Sequence, residues 1–263
     1  MKVLSIGNSF SQDAHRYIKD LANEKEIDLN VYNLYIGGCS LERHYENFIN
    51  DKKEYIFEPN GRGFDRFKNG ELEVVSLKTA LEKDSYDIVT IQQVSHFSFD
   101  YPTYFPYVNH LIDFIKKYQP TAKIYLHVTW PYEDGCERLG KIGYKSASAM
   151  FRDIEACNYK VFNDIKVDGI IPSGKAIFKG IENGFKMHRD TLHISLGLGR
   201  FMAALVWIKA LTKTTISSVD FNAFDEEITQ VQKATAIKIV NELNIWHKKR
   251  TQKGVFHRDF LKH

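Results

Sequence analysis

The chain has 263 residues, 43% hydrophobic and 26% charged, an ordinary globular balance that excludes global disorder and low complexity. Lysine plus arginine number 36 against 33 aspartate plus glutamate, too even a balance for a nucleic-acid or membrane-surface partner. Three cysteines, at 39, 136 and 157 with no Cys-x-x-Cys, exclude a disulfide scaffold and the common zinc-finger spacings.

The apolar run Lys2 to Ile6 predicts a buried strand that stops at Gly7-Asn8. No apolar leader precedes it and no run is long enough to cross a membrane. Taken literally the protein is cytoplasmic, and a periplasmic or secreted protein trimmed of its signal peptide would read the same. Ser11 or Asp13 can cap a helix over His15–Lys25, where Tyr17, Ile18, Leu21 and Ala22 recur at helical spacing. Leu29–Ile36 reads as a second strand ending in Gly37-Gly38, and Ser40–Ile49 as a short helix. Between about 54 and 76, Pro59-Asn60-Gly61 and Lys68-Asn69-Gly70 among β-type residues signal a small β insertion.

A short helix over Leu77–Lys83 precedes a third strand, Tyr86–Gln92. Tyr107–Tyr118 is a helix stopped by Pro120, and Lys123–Thr129 a fourth strand. Residues 130–144 read as loop, Ser146–Cys157 as helix and Gly169–Pro172 as a short fifth strand. Three helices follow: Ser173–Ile181, an apolar and buried Ser195–Leu211, and a long amphipathic Asp225–Lys248 before a basic tail. Strand and helix alternate five times, which predicts a mostly parallel five-stranded sheet between helical layers, with ligands at the strand carboxyl ends.

Candidate chemistry therefore belongs at those ends. After strand one, Gly7-Asn8-Ser9-Phe10-Ser11 can project a hydroxyl at a strand-to-helix turn, although the same residues make an ordinary capped turn. After strand two, Gly38 can turn a backbone N–H toward a ligand, or simply make a tight turn. After strand three, Gln92 and Gln93 place amides at the end of a buried strand, where they must be hydrogen-bonded. Successive residues face opposite sides, so one of the two is expected to reach a site. Before the apolar helix, Asp190-Thr191-Leu192-His193 allows an aspartate to fix a histidine tautomer.

Together, in this order, the blocks resemble the SGNH (GDSL-type) hydrolase superfamily. Gly7-Asn8-Ser9-Phe10-Ser11 stands for its G-D-S-x-S, Gly38-Cys39-Ser40 for its G-x-S/T, and Asp190-Thr191-Leu192-His193 for its D-x-x-H. Two blocks depart: Asn8 replaces an aspartate, and Gln92-Gln93-Val94-Ser95-His96 replaces G-x-N-D. The strings around them are similar to an atypical bacterial branch known only as a domain of unknown function. The resemblance reaches to about residue 212 of one domain spanning 1–263, with the helix and tail of about 225–263 as an appendage. It implies a three-layer α/β/α, flavodoxin-like fold and a serine esterase. Ser9 would be the nucleophile, His193 the general base, Asp190 its orienter, and Ser9, Gly38 and Gln93 (with Gln92 as second choice) the oxyanion donors.

No metal or organic cofactor is implied: His188, Asp190 and His193 lack zinc spacing. Aromatics are 13% of the chain, enough both to fill a core and to line a cleft. Tyr35 and Trp130 are candidates for substrate binding, with Tyr101, Tyr104 and Tyr132 beside them. Ordinary packing explains them equally well. The expected substrate is a small acyl ester, acetyl on a carbohydrate, with a carbohydrate-binding protein that has lost catalysis as the alternative. The insertion and the C-terminal helix could shape the cleft or form a homo-oligomer contact.

Overall fold

A computed structural model describes residues 1–65 and 72–245. Strands β1 (Lys2–Gly7), β2 (Asn30–Tyr35), β3 (Tyr55–Pro59), β4 (Val74–Val75), β5 (Ile88–Ile91), β6 (Lys123–His127) and β7 (Gly169–Ile171) form one sheet, ordered β4-β3-β2-β1-β5-β6-β7. The five strands from β2 to β7 in that order are parallel, as the alternation predicts. The insertion supplies the other two. β3 pairs antiparallel with β2, and β4 with β3, so the five expected strands become seven. The turn signal at Lys68-Asn69-Gly70 and the basic tail lie outside the described residues.

The helices are α1 (Ser9–His15), α2 (Ile18–Glu24), α3 (Leu41–Ile49), α4 (Leu77–Glu82), α5 (Tyr107–Tyr118), α6 (Glu137–Lys141), α7 (Ala147–Asp164), α8 (Ser173–Glu182), α9 (Leu198–Thr212) and α10 (Gln230–Glu242). Strand side chains alternate between two cores, as the pleat requires. Val3, Ile88, Tyr125 and Ile171 meet α1, α2, α8, α9 and α10, whereas Leu4, Val89, Ile124 and Ile170 meet α3, α4, α5 and α7. The result is a three-layer α/β/α sandwich, and among the described residues no helix is long and apolar enough to cross a membrane.

Four helices differ from expectation, of which α7 simply runs on past Cys157 to Asp164. The first begins at Ser9, capped by Asn8 rather than by Ser11 or Asp13, and breaks at Arg16–Tyr17 into α1 and α2. The loop after β6 contains α6. The last helix starts only at Gln230, where Thr229 and Gln232 exchange capping hydrogen bonds. Nor is α10 an appendage, since its Ala236, Ile239 and Val240 join the core around α9. That cover lets α9 be apolar nearly all round.

β1 lies between β2 and β5, the point where the chain reverses its direction of travel across the sheet. The carboxyl ends of β1 and β5 therefore frame the crevice in which this kind of sheet binds ligands. Phe201, fully buried on α9, packs edge-on against Phe224 at 5.3 Å. Phe201→Ala is expected to cost about 3–5 kcal/mol in urea unfolding. Val231→Ala, on the outer face of α10 and 72% exposed, should change it by less than about 0.5 kcal/mol. Equal losses would contradict this layering.

Candidate active site

β1 delivers the chain to a strand-to-helix turn. A side chain at Gly7 would overlap the Ser11 hydroxyl, so only glycine lets β1 approach α1 this closely. Asn8 is buried and caps α1: its Oδ1 accepts from the Phe10 N–H (3.0 Å), and the Ser11 hydroxyl answers the Asn8 N–H (3.2 Å). Ser9 is thus the first residue of α1, half-buried, and its N–H has no intrahelical acceptor.

A second turn, 184 residues away, meets it. His188 and Ile194 form an isolated antiparallel bridge, and Thr191 takes a left-handed φ of 66° between them. The turn folds onto the Asp190 carboxylate, whose Oδ1 accepts from the N–H groups of Leu192 (3.2 Å) and His193 (2.7 Å). Asp190 Oδ2 lies 2.8 Å from His193 Nδ1, and His193 Nε2 lies 2.9 Å from Ser9 Oγ. A carboxylate can only accept, so Nδ1 carries the proton and Nε2 is the acceptor aimed at the serine hydroxyl. Partial burial pushes the Asp190 carboxyl up, but the His193 and Leu192 donors outweigh it and hold the group below its ordinary value. The side chains of His193 and Asp190 are 22% and 49% exposed, so this chain of three groups opens to solvent.

Gly38, at φ 60°, turns the loop after β2, which meets Asn8. The link is direct: Asn8 Nδ2 donates to the Cys39 carbonyl at 3.2 Å. An aspartate at position 8 has no such donor, which gives a physical reason for asparagine there. Cys39 itself is buried, and burial pushes its thiol up to about 12.

The two glutamines occupy different places. Gln92 Nε2 donates to Asn8 Oδ1 (2.7 Å), which turns its Oε1 toward His127 Nδ1 (2.8 Å). His127 must then donate through Nδ1 and accept the Ser173 hydroxyl at Nε2 (3.0 Å). Burial lowers this imidazole to about 3 and keeps it neutral. Gln93 faces the other way, accepting from Leu41 N–H (3.0 Å) and donating to the Thr103 carbonyl (3.0 Å). Both amides thus anchor loops around Ser9, and neither is hydrogen-bonded to it.

Trp130 is a correction. It is fully buried, with its ring stacked on Phe10 at 4.3 Å, so no face remains to bind a ligand. Its Nε1 instead donates to the Leu192 carbonyl (3.1 Å). The neighbouring Glu133 N–H holds the Thr191 carbonyl (2.9 Å), and His188 reaches the Pro131 carbonyl (2.9 Å). The 130–133 loop therefore buttresses the Asp–His turn, and His188 is engaged with the Pro131 carbonyl. Tyr104 and Tyr132 are likewise buried, and Tyr101 bonds Asp164. Tyr35 stays half-exposed, with its hydroxyl over Gly37 beside the Gly38 turn.

Missing from the sequence-based site are Asp13, Arg189 and Arg200, which form ion pairs directly behind it. A signal existed: Arg200 stands in the first turn of a largely apolar helix, and a buried charge demands a partner.

Comparison with known proteins gives the family and the fold. A family described as "Domain of unknown function (DUF4886)" matches residues 2–240. The crystal structure of a DUF4886 family protein from Bacteroides uniformis is 31% identical, with a TM-score of 0.83 over 92% of this chain and 93% of that one. A protein from Slackia heliotrinireducens, provisionally described as an SGNH hydrolase, gives 23% identity and a TM-score of 0.56 over 80% and 97%. An acetyl xylan esterase gives 13% and 0.52 over 79% and 98%. These last two show that the fold is that of the SGNH hydrolases. No curated protein sequence matches the chain.

Asn8→Asp tests the turn. The variant loses the donor to Cys39 and buries a carboxylate, which is expected to cost about 1–3 kcal/mol at neutral pH. Burial raises the new carboxyl above its unfolded value of about 3.9, so the penalty is full above the folded value and fades as pH falls through it and a donating proton returns. Urea midpoints of variant and wild type should converge on acidification. A gap independent of pH would refute the assignment.

Proposed function

The chain belongs to the DUF4886 family, and from its residues and geometry we propose that it is a serine ester hydrolase of the SGNH type acting on a small acyl ester. The observation that carries this reading is the hydrogen-bonded series Ser9–His193–Asp190 at the carboxyl end of β1. In the proposed reaction, Ser9 Oγ attacks the ester carbonyl carbon as its proton passes to His193 Nε2. The carbonyl oxygen becomes an oxyanion held by the Ser9 and Gly38 N–H groups. The carbon–alkoxy bond then breaks and His193 returns the proton to the leaving alcohol. Water, deprotonated by His193, attacks the acyl-enzyme, and cleavage of the Ser9 ester bond releases the acid as His193 returns that proton to Ser9 Oγ. Asp190 holds the imidazole tautomer throughout. Gln92 acts from behind, fixing Asn8 and through it the Gly38 turn.

The stacked pair Phe10 and Trp130 supports a small acyl group, because Phe10 also lies edge-on to His193 (6.1 Å) and the pair fills the floor beneath it. Tyr35, beside the Gly38 turn, suits a sugar face on the alcohol side. A second reading, a carbohydrate-binding protein without turnover, draws on one observation: both glutamine amides are engaged elsewhere, leaving only backbone donors for the oxyanion.

Two measurements decide. Wild-type protein should hydrolyse p-nitrophenyl acetate and take up a fluorophosphonate probe, and Ser9→Ala should lose at least about a thousandfold of the hydrolysis. Folded wild type that neither hydrolyses nor labels would leave the binding reading. Across acetyl, butyryl and longer p-nitrophenyl esters, kcat/KM should fall with chain length. A steady rise would sink the small-acyl assignment.

A further inference from the structure

Asp13 lies one helical turn beyond Ser9 on α1, and its carboxylate is fully buried. Arg189 Nη1 donates to both of its oxygens at 2.9 Å, and Arg200 Nε donates to Oδ1 at 2.9 Å. Arg200 continues through Nη1 to Asp225 Oδ2 (2.6 Å), which Arg16 grips through Nε and Nη2, both at 2.7 Å. At the other end, Arg189 immediately precedes Asp190. Its Nη1 also donates to the Ile194 carbonyl (2.6 Å), and its Nε lies 3.8 Å from Asp190 Oδ2. The series alternates three guanidinium groups with three carboxylates and ends at the residue that orients His193.

We infer that Asp13 and Arg189 are a positioning pair that sets the distance from Ser9 to His193. The inference rests on the esterase reading for the roles of those two residues. Asp13 is rigidly joined to Ser9 through a single turn of α1, and Arg189 to His193 through the bridged turn 188–194. The two units are otherwise pressed together by Phe10 and Trp130, and ring stacking tolerates sliding. Arg189 Nη1, which shares its two hydrogens among the two Asp13 oxygens and the Ile194 carbonyl, is held from both sides by charge-assisted bonds that resist sliding more than ring stacking does. Misplacement of a reacting group by about 1 Å can cost on the order of a hundredfold in rate. The pair thus supplies accuracy that the apolar contact lacks. Arg189 adds a second effect: its cation beside Asp190 favours the ionised carboxylate that fixes the imidazole.

Two conservative variants test this. Arg189→Lys keeps a cation but is one bond shorter, so its ammonium falls short of the Nη1 position that meets both Asp13 and Ile194. Asp13→Asn keeps an acceptor for Arg200 but weakens the grip on Arg189. Three quantities are read: the melting temperature, kcat and KM on p-nitrophenyl acetate, and the downfield proton resonance of His193 Nδ1–H bonded to Asp190. The expected result is a folded protein with kcat lower by roughly 10- to 100-fold, KM nearly unchanged, and the imidazole resonance weakened. Folded variants with wild-type kcat and an unchanged resonance would overturn the proposal. So would failure of both variants to fold, which would assign the pair to stability alone. If wild type itself shows no esterase activity, the esterase reading falls and the resonance decides by itself: loss in the variants supports the positioning pair, and persistence overturns it.

Discussion

The Asn8 carboxamide holds three parts of the molecule in register. Its oxygen accepts from the first turn of α1 and from Gln92 at the end of β5, and its nitrogen donates to the turn that follows β2. These segments come from three neighbouring strands and meet nowhere else so closely around Ser9. Only a group that both accepts and donates can join them. Because the side chain is almost completely buried, each unmade bond would cost about 1–3 kcal/mol. Register errors at this turn are correspondingly expensive. Gln92 and Asn8 therefore act as one joint, since Gln92 donates to the oxygen whose partner nitrogen holds Cys39.

This joint belongs to a division between the two faces of the sheet. On the face covered by α1 and α9, Ser5, Thr90 and His127 alternate with apolar residues and are tied together: Thr90 to Ser5, Ser5 to His15, and His127 to Gln92 and Ser173. The face covered by α3, α5 and α7 is built from Leu4, Val89, Ile124 and their apolar neighbours. Directional bonds thus concentrate where Ser9 and His193 must be placed accurately, while nondirectional burial supplies cohesion on the other side. His127 fits that use, since a buried imidazole kept neutral can link an amide to a hydroxyl without bringing in a charge.

The parallel strands were legible because buried strands are short and largely apolar, and three of the five stop at glycine or an amide. Tyr107–Tyr118 was legible to the residue because Pro120 ends it. The break between α1 and α2 was not, since the apolar spacing of Tyr17, Ile18 and Leu21 continues across it and only the cap at Asn8 reveals an earlier start. The joining of the insertion to the sheet edge was hidden for a different reason. Strand pairing is a long-range property, and Tyr55–Pro59 carries no mark of the partner it will choose. Ser9, Asp190 and His193 were legible as a set, each ambiguous alone, because their order along the chain matched a known pattern. Asp13 and Arg189 were not, because 176 residues separate them and Asp13 reads alone as a helix cap.

Trp130 shows how such a reading can err and still point to the right place. An aromatic residue just past the end of a strand is close to the site by topology, but sequence does not say whether its ring faces the ligand or the layer beneath. Here the ring lies beneath, and its single N–H secures the carbonyl of Leu192, between the two residues that must align. Stacked on Phe10, it also joins the Asp–His turn to the helix that begins at Ser9. Binding a ligand would require Trp130 to leave that contact and slacken both sides of the site at once. The demand for a rigid floor therefore excludes it from recognition. Tyr35, by contrast, stays half-exposed over Gly37.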